Sequence, residues 1–225
     1  MENRICDNFL ILALNPRSGN YMIYGNQLTY GLLGALLMDL MTDGYLAVDN
    51  GRIVPGETKG IPSSAVLDKI LSRITGNTKS LKVTAWIRKL GIRSGRYLNE
   101  VRAEMIANGL VRVVRKKILF IPWSLWYPAD PGYRKKLIFR IQDILLTGKE
   151  AGKDEAMLLG LIYATKLHKA LSVNRDKRKR LRKALVIYMK KSDVASGTDK
   201  IIREIQTTIA AGVVASISAS NAAIH

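Results

Sequence analysis

Tyr30-Gly-Leu-Leu-Gly-Ala-Leu-Leu-Met-Asp-Leu40 decides the fold. With Leu28 it places Leu28, Leu32, Leu33, Leu36, Leu37 and Leu40 at helical spacing, in an arc too wide for a helix with one face in water. A helix is therefore predicted over about 26–43, at the centre of a helical body. Gly31 and Gly34 lie inside it, and each costs roughly 1 kcal/mol relative to Ala, which points to a closely approaching neighbour. Gly44 stands where a left-handed C-cap belongs.

Other segments arrange themselves around that helix. Residues 5–14 read as a short apolar helix closed by the turn Asn15-Pro16-Arg17-Ser18-Gly19-Asn20. Residues 45–54 form two β-prone runs around Asp49-Asn50-Gly51, a hairpin signal. After a loop from Pro55 to Pro62, Ser63 or Ser64 is placed to cap a helix through Val66, Leu67, Ile70, Leu71 and Ile74. Thr75–Lys79 breaks the pattern before a helix around Val83, Ile87 and Leu90. Leu98, Val101, Met105 and Ile106 predict another, ended by Asn108-Gly109. A β-prone run 110–114, a basic turn Arg115-Lys116-Lys117 and a second run 118–121 complete a winged-helix-like unit, 98–121. Pro122–Pro131 reads as an aromatic loop holding Trp123, Trp126 and Tyr127. Asp130-Pro131 then opens a helix with Leu137, Ile138, Ile141 and Leu145 inward. Helices are predicted over about 154–171 and 174–191, the latter basic with an inward stripe of Leu181, Ala184, Leu185 and Tyr188. The fold class is mainly α: central apolar helices ringed by amphipathic ones, with a protruding β-hairpin and a small winged-helix-like hairpin.

At 225 residues and 48% hydrophobic content, the chain suits one domain over 1–225 with a full core. Net charge is +18, and residues 79–191 hold 28 of the 36 Lys and Arg but only 8 of the 18 Asp and Glu. Such an excess repels itself in a compact fold and attracts a polyanion, either lipid headgroups or nucleic acid. The single cysteine, Cys6, excludes an internal disulfide and a cysteine zinc site, and suits a reducing compartment. The run Phe9–Leu14 is too short for a secretory signal. Ile205–Ile224 is uncharged but too polar to span a bilayer, so a buried Ala-rich helix is expected there. A membrane, if met, is met from the aqueous side.

Catalytic constellations are missing. The two histidines are His168, expected to be structural, and His225. No zinc-protease, nucleophile-elbow or dinucleotide motif occurs, and Gly148-Lys149 and Gly152-Lys153 lack the spacing of a phosphate loop. Asp39 and Asp43 suit cap or surface roles better than acid–base chemistry. No enzyme activity, cofactor or metal is expected. The positive features are basic groups. Arg88, Lys89, Arg93 and Arg96 stand with the hairpin cations Arg115, Lys116 and Lys117. Arg134-Lys135-Lys136 occupies a first helical turn, where the helix dipole disfavours cations by roughly 0.3–1 kcal/mol each and a bound anion would offset it.

The chain resembles the Golgi phosphoprotein 3 family. The resemblance runs through Phe9-Leu-Ile-Leu-Ala-Leu14, Gly19, Tyr30–Leu40, the hairpin at Gly51 and Ile61-Pro-Ser-Ser-Ala-Val-Leu-Asp-Lys-Ile70. It continues through Ala85-Trp-Ile-Arg-Lys-Leu90, Met105-Ile-Ala-Asn-Gly-Leu110, Tyr127-Pro128 and Leu158-Leu-Gly-Leu-Ile-Tyr163. It implies a helical domain with a β-hairpin used in oligomerisation, assigned here to 45–54. It also implies peripheral binding to phosphatidylinositol 4-phosphate and, in eukaryotes, retention of glycosyltransferases through their cytosolic tails together with coat components. Tyr24 falls at the family's headgroup tryptophan. The family arginines fall on Leu33, Gly95 and Leu98, or the last on Arg102 with a short deletion, and Arg93 and Arg96 lie close enough to substitute. The core begins within ten residues, without the basic N-terminal tail of eukaryotic members, which suggests a bacterial relative.

The expected function is thus a cytoplasmic, peripheral membrane adaptor. Its headgroup site is Tyr24, Arg93, Arg96 and Arg102, and a secondary basic surface is formed by Arg115–Lys117 and Arg134–Lys136. Nucleic-acid binding through unit 98–121 is the alternative, although the Leu98–Asn108 helix sets only Arg102 against Glu100 and Glu104.

Overall fold

A computed structural model describes residues 3–118, 121–191 and 202. The fold is mainly helical with two small antiparallel hairpins. At its centre α1 (Ile5–Ala13) packs on α2 (Gly25–Thr42). Every residue of α1 is buried, as is the whole Gly31–Leu40 stretch of α2. Gly31 explains the close packing of this pair: a Cβ there would meet Phe9 Cζ at 2.5 Å and Thr165 Cγ2 at 2.6 Å. Any larger residue would force the buried Phe9 ring or the Thr165 side chain to shift.

A fully buried helix leaves its terminal N–H and C=O groups without water, so partners must come from the protein. At the N-terminus of α1 that partner is Asp39 of α2, whose Oδ1 accepts from Ile5 N at 2.7 Å and Oδ2 from Cys6 N at 3.1 Å. Asp39 is therefore a cap, but for a helix distant in sequence. Burial pushes its carboxyl up to about 7, against the two amide donors and Arg4, which favour the charged form. At the other end Arg134 Nε donates to Ile11 O at 3.1 Å and Nη2 to Leu12 O at 3.2 Å. A negative group thus sits at the positive end of α1 and a positive group at its negative end. Arg134 is only 8% exposed, which corrects its expected place on a basic surface beside Lys135 and Lys136.

The surrounding helices are α3 (Ala65–Thr75), α4 (Val83–Gly91), α5 (Ser94–Ala107), α6 (Pro131–Thr147), α7 (Lys153–Ala164) and α8 (Arg175–Lys191). Ser64 caps α3 by accepting from Leu67 N, and Asp130 caps α6 with Pro131 following, as their side chains suggest. A partly buried network ties α1, α3 and α5 together. Arg4 pairs with Asp7 and Glu104, each at 2.9 Å, and Glu104 also accepts from Ser64 Oγ and Val66 N.

Two stretches differ from expectation. The helix predicted over 154–171 is broken, because Lys166 adopts left-handed φ (57°) and the chain resumes as a 3₁₀ turn, Leu167–Leu171. Nothing about a lysine announces that break. The second hairpin is longer than its sequence suggested. Strand β3 (Val111–Ile118) pairs antiparallel with β4 (Ile121–Pro128), in register from Val111↔Pro128 to Ile118↔Ile121. Arg115, Lys116 and Lys117 therefore lie in a strand and not a turn, and Trp123, Trp126 and Tyr127 lie in its partner and not a loop. Pro122 and Pro128 read as loop signals, yet both strands of a two-stranded sheet are edges, where proline is tolerated. The first hairpin, β1 (Leu46–Asp49) with β2 (Arg52–Pro55), turns at Asn50 and Gly51, both with positive φ, as the Asn-Gly signal requires. Leu46 and Ile53 anchor it in the core. The expected Ala-rich helix at 205–224 lies outside the described residues.

Candidate functional site

Among the described residues no helix is long and apolar enough to cross a membrane, and no group of three metal-ligating side chains occurs. Burial raises the Cys6 thiol well above its ordinary value, away from nucleophile chemistry. His168 is half-buried and held below its ordinary value, first by desolvation and then by neighbouring cations. The polar surface is instead dominated by cations, and α5 organises the most structured group of them.

A helix turns about 100° per residue, so Arg96, Tyr97 and Glu100 share one side of α5 while Gly95, Leu98 and Arg102 share another. Helix α3 packs against the first side. There Lys69 Nζ and Arg96 Nε meet the same oxygen of Glu100, Oε1, at 2.8 and 3.0 Å. These contacts, Lys69 foremost, hold the Glu100 carboxyl below its usual range. Arg73 Nη1 donates to the buried Tyr97 hydroxyl at 2.9 Å. Arg93, the exposed N-cap of α5, joins them, and Asp68, Lys69, Ser72, Arg73, Arg93, Arg96 and Tyr97 line a groove of about 320 Å³.

Arg102 serves a different purpose on the other side. Its Nε donates to Tyr21 Oη at 3.1 Å, and its guanidinium lies 5.0 Å from the Tyr21 ring centroid and 4.8 Å from that of Trp126. Arg102 thereby fastens α5 to the turn before α2 and to β4. Tyr24, the N-cap of α2, is 65% exposed. The four residues singled out from the sequence are thus not one cluster: Arg93 and Arg96 converge in the α3–α5 groove, and Arg102 is engaged elsewhere. Leu33 and Leu98, which the resemblance set against arginines, are buried apolar side chains, while Gly95 is exposed with open space around it.

The second cationic feature is the hairpin β3–β4. No carboxylate occurs between Met105 and Ala129. Arg115, Lys116 and Lys117 are exposed, Lys116 stands opposite Trp123, and that tryptophan is 49% exposed. Nearer the base Arg112 stacks 4.6 Å from the Tyr127 ring centroid, and Gly19 O accepts from Trp126 N at 2.7 Å. A Cβ on Gly19 would collide with Tyr127 and Leu125, which fixes how closely the hairpin base approaches that turn.

The sequence missed Lys69 and Arg73, because they lie in the N-terminal third, where positive and negative charges nearly balance. Their i, i+4 spacing on the polar side of α3, away from Val66, Leu67, Ile70 and Ile74, was the available signal. No curated protein matches the chain. A family model described as Golgi phosphoprotein 3 (GPP34) matches residues 5–205.

Proposed function

The chain belongs to the Golgi phosphoprotein 3 family, and from that premise we propose that it is a non-enzymatic, cytoplasmic adaptor that docks peripherally on anionic membrane lipids of the phosphoinositide type. The observation that carries this reading is a set of exposed, largely unneutralised cations. Arg93, Arg96, Arg115, Lys116, Lys117, Lys135 and Lys136 are all exposed, and among the described residues only Arg96 of these is ion-paired. Basic groups beside an anionic bilayer gain on the order of 1 kcal/mol each, so a few of them give reversible docking without an anchor. Trp123, half exposed among lysines and arginines, is suited to the interfacial zone, where an aromatic ring sits between apolar chains and headgroups.

Burial of α5 counts against the nucleic-acid alternative. Leu98, Val101 and Met105 face the core, and both Glu100 and Glu104 are engaged in ion pairs. That leaves no basic recognition face to enter a groove. The same electrostatics makes a direct prediction. Changing Arg93 and Arg96 together to glutamate is expected to weaken recovery on vesicles containing phosphatidylinositol 4-phosphate at least tenfold, at about 1 kcal/mol per charge, while the protein stays folded and its melting point falls only slightly through loss of the exposed Arg96–Glu100 pair. Co-sedimentation reads the outcome, and wild-type recovery by the variant would remove these arginines from the docking surface.

A further inference from the structure

We propose that the outer edge of β3 is a docking site for an extended acidic segment of a partner protein, which adds to the hairpin as a third strand. This goes beyond the docking of cations on lipid and does not rest on it, because main-chain geometry carries it. In an antiparallel ladder alternate residue pairs exchange hydrogen bonds, and the pairs between them turn their N–H and C=O groups away from the partner strand. Trp126 N donates outside the hairpin, to Gly19 O at 2.7 Å, so Val113↔Trp126 is one of the outward pairs. By alternation Val111↔Pro128, Arg115↔Ser124 and Lys117↔Pro122 are outward as well. Ala129 N, of the other parity, donates across the hairpin to Leu110 O, as this assignment requires.

The two edges are therefore unlike. On the β4 edge Pro122 and Pro128 have no N–H and Trp126 N is taken by Gly19, which leaves Ser124 alone to donate. On the β3 edge the main-chain groups of Val113, Arg115 and Lys117 have no backbone partner among the described residues. Val113 is half-buried, and Arg115 and Lys117 are exposed. Successive outward groups lie about 6.8 Å apart, twice the rise of a strand, which is the repeat that an added strand presents.

Charge selects the strand. Arg112 and Lys116 lie on one face of β3, and Arg115 and Lys117 on the other. None of the four is ion-paired among the described residues. A second copy of this edge would set cations against cations, which destabilises strand pairing. A strand bearing Asp or Glu instead meets a cation on either face. Nearer the base, Val113 and Val114 suit β-branched apolar neighbours. The matching segment is thus acidic opposite Arg115–Lys117 and apolar opposite Val113 and Val114. Lipid tails cannot take its place, since unpaired N–H and C=O groups are not tolerated in hydrocarbon.

The test uses the full chain and a blocked, fluorescently labelled peptide, Glu-Glu-Glu-Val-Val-Glu, written to run antiparallel from Lys117 to Arg112. Anisotropy at one ionic strength compares it with the same peptide N-methylated at every residue, which keeps the charge but cannot donate. Saturable binding of the first is expected, with binding of the second at least tenfold weaker. Arg115→Gln removes a charge and keeps the N–H, whereas Arg115→Pro removes both at a position where no ladder hydrogen bond is lost. Glutamine should weaken peptide binding a few-fold and proline about tenfold further. Vesicle recovery reads side-chain charge and should be equal for the two variants. Equal binding of the two peptides, or equal peptide binding by the two variants, overturns the site. If Arg115→Pro does not fold, the peptide comparison on the wild type decides alone. Wild-type self-association that Arg115→Pro abolishes, without peptide binding, would give the edge to a second copy and overturn the proposal. Peptide binding without vesicle recovery leaves the edge site standing and defeats only the lipid reading.

Discussion

Replacing Asp39 with alanine is expected to destabilise the protein by about 2–4 kcal/mol, because two buried amides lose their acceptor and each such loss costs about 1–3 kcal/mol, offset in part by removing a buried carboxyl. Ile5 N and Cys6 N are both in the interior, where no water replaces the carboxylate. Asparagine at the same position keeps one acceptor and should cost about half as much. It also removes a titration. The Asp39 carboxyl rises from an ordinary 3.8 to about 7 on folding, so the folded state holds the proton more tightly than the unfolded chain. Its contribution is therefore fully present below about pH 4 and is lost as the pH rises towards 7. Glu100 and Glu155, held low by their ion pairs, act with the opposite sign. The informative quantity is thus the difference between wild type and Asp39→Asn. In urea unfolding that difference should shift against wild type between pH 5 and pH 8. A difference that stays flat would show the carboxyl to be ionised throughout.

Arg134→Met is expected to cost about 2–3 kcal/mol, since the carbonyls of Ile11 and Leu12 lose charge-assisted donors inside the core. Burial lowers the affinity of this guanidinium for its proton, yet an arginine remains charged in any protein. Relief of that desolvation offsets part of the loss, which is why the expected cost is not larger. Lysine should recover only a fraction, because its single ammonium cannot reproduce the two-pronged geometry. The Asp39 and Arg134 contacts sit at opposite ends of a nine-residue helix, roughly 13 Å apart, so their effects should add within about 0.5 kcal/mol. Wild-type stability for Arg134→Met would mean that the carbonyls find water and that the α1 terminus is not sealed.

The helical core was legible because its signals are local. Leu28 to Leu40 repeat at helical spacing, the Ser63-Ser64 pair and Asp130 announce caps, the first of which falls to Ser64, and Asn50-Gly51 announces its turn. Arg134 was misread for an instructive reason. Between Tyr133 and Lys135 it looks like part of an exposed basic run, and only the approach of α6 to the far end of α1 turns it inward. The same holds for Asp39, whose partners are more than thirty residues away. The candidate groove was half legible. Arg93 and Arg96 stood out by local charge, whereas Lys69 and Arg73 join them only because α3 packs across α5. Arg102 is adjacent in sequence but faces a different side, and its aromatic partners Tyr21 and Trp126 come from segments that no periodicity links to it.

Attraction of an anionic membrane by exposed cations is tested most directly by sedimenting the unmodified protein with three vesicle preparations at near-physiological salt. These are phosphatidylcholine alone, phosphatidylcholine with phosphatidylserine, and phosphatidylcholine with phosphatidylinositol 4-phosphate, with duplex DNA titrated under the same conditions. Recovery should be negligible on the first, measurable on the second and greatest on the third, with DNA binding only weakly and losing its affinity steeply as salt rises. Tight DNA binding with no recovery on any vesicle would contradict the account.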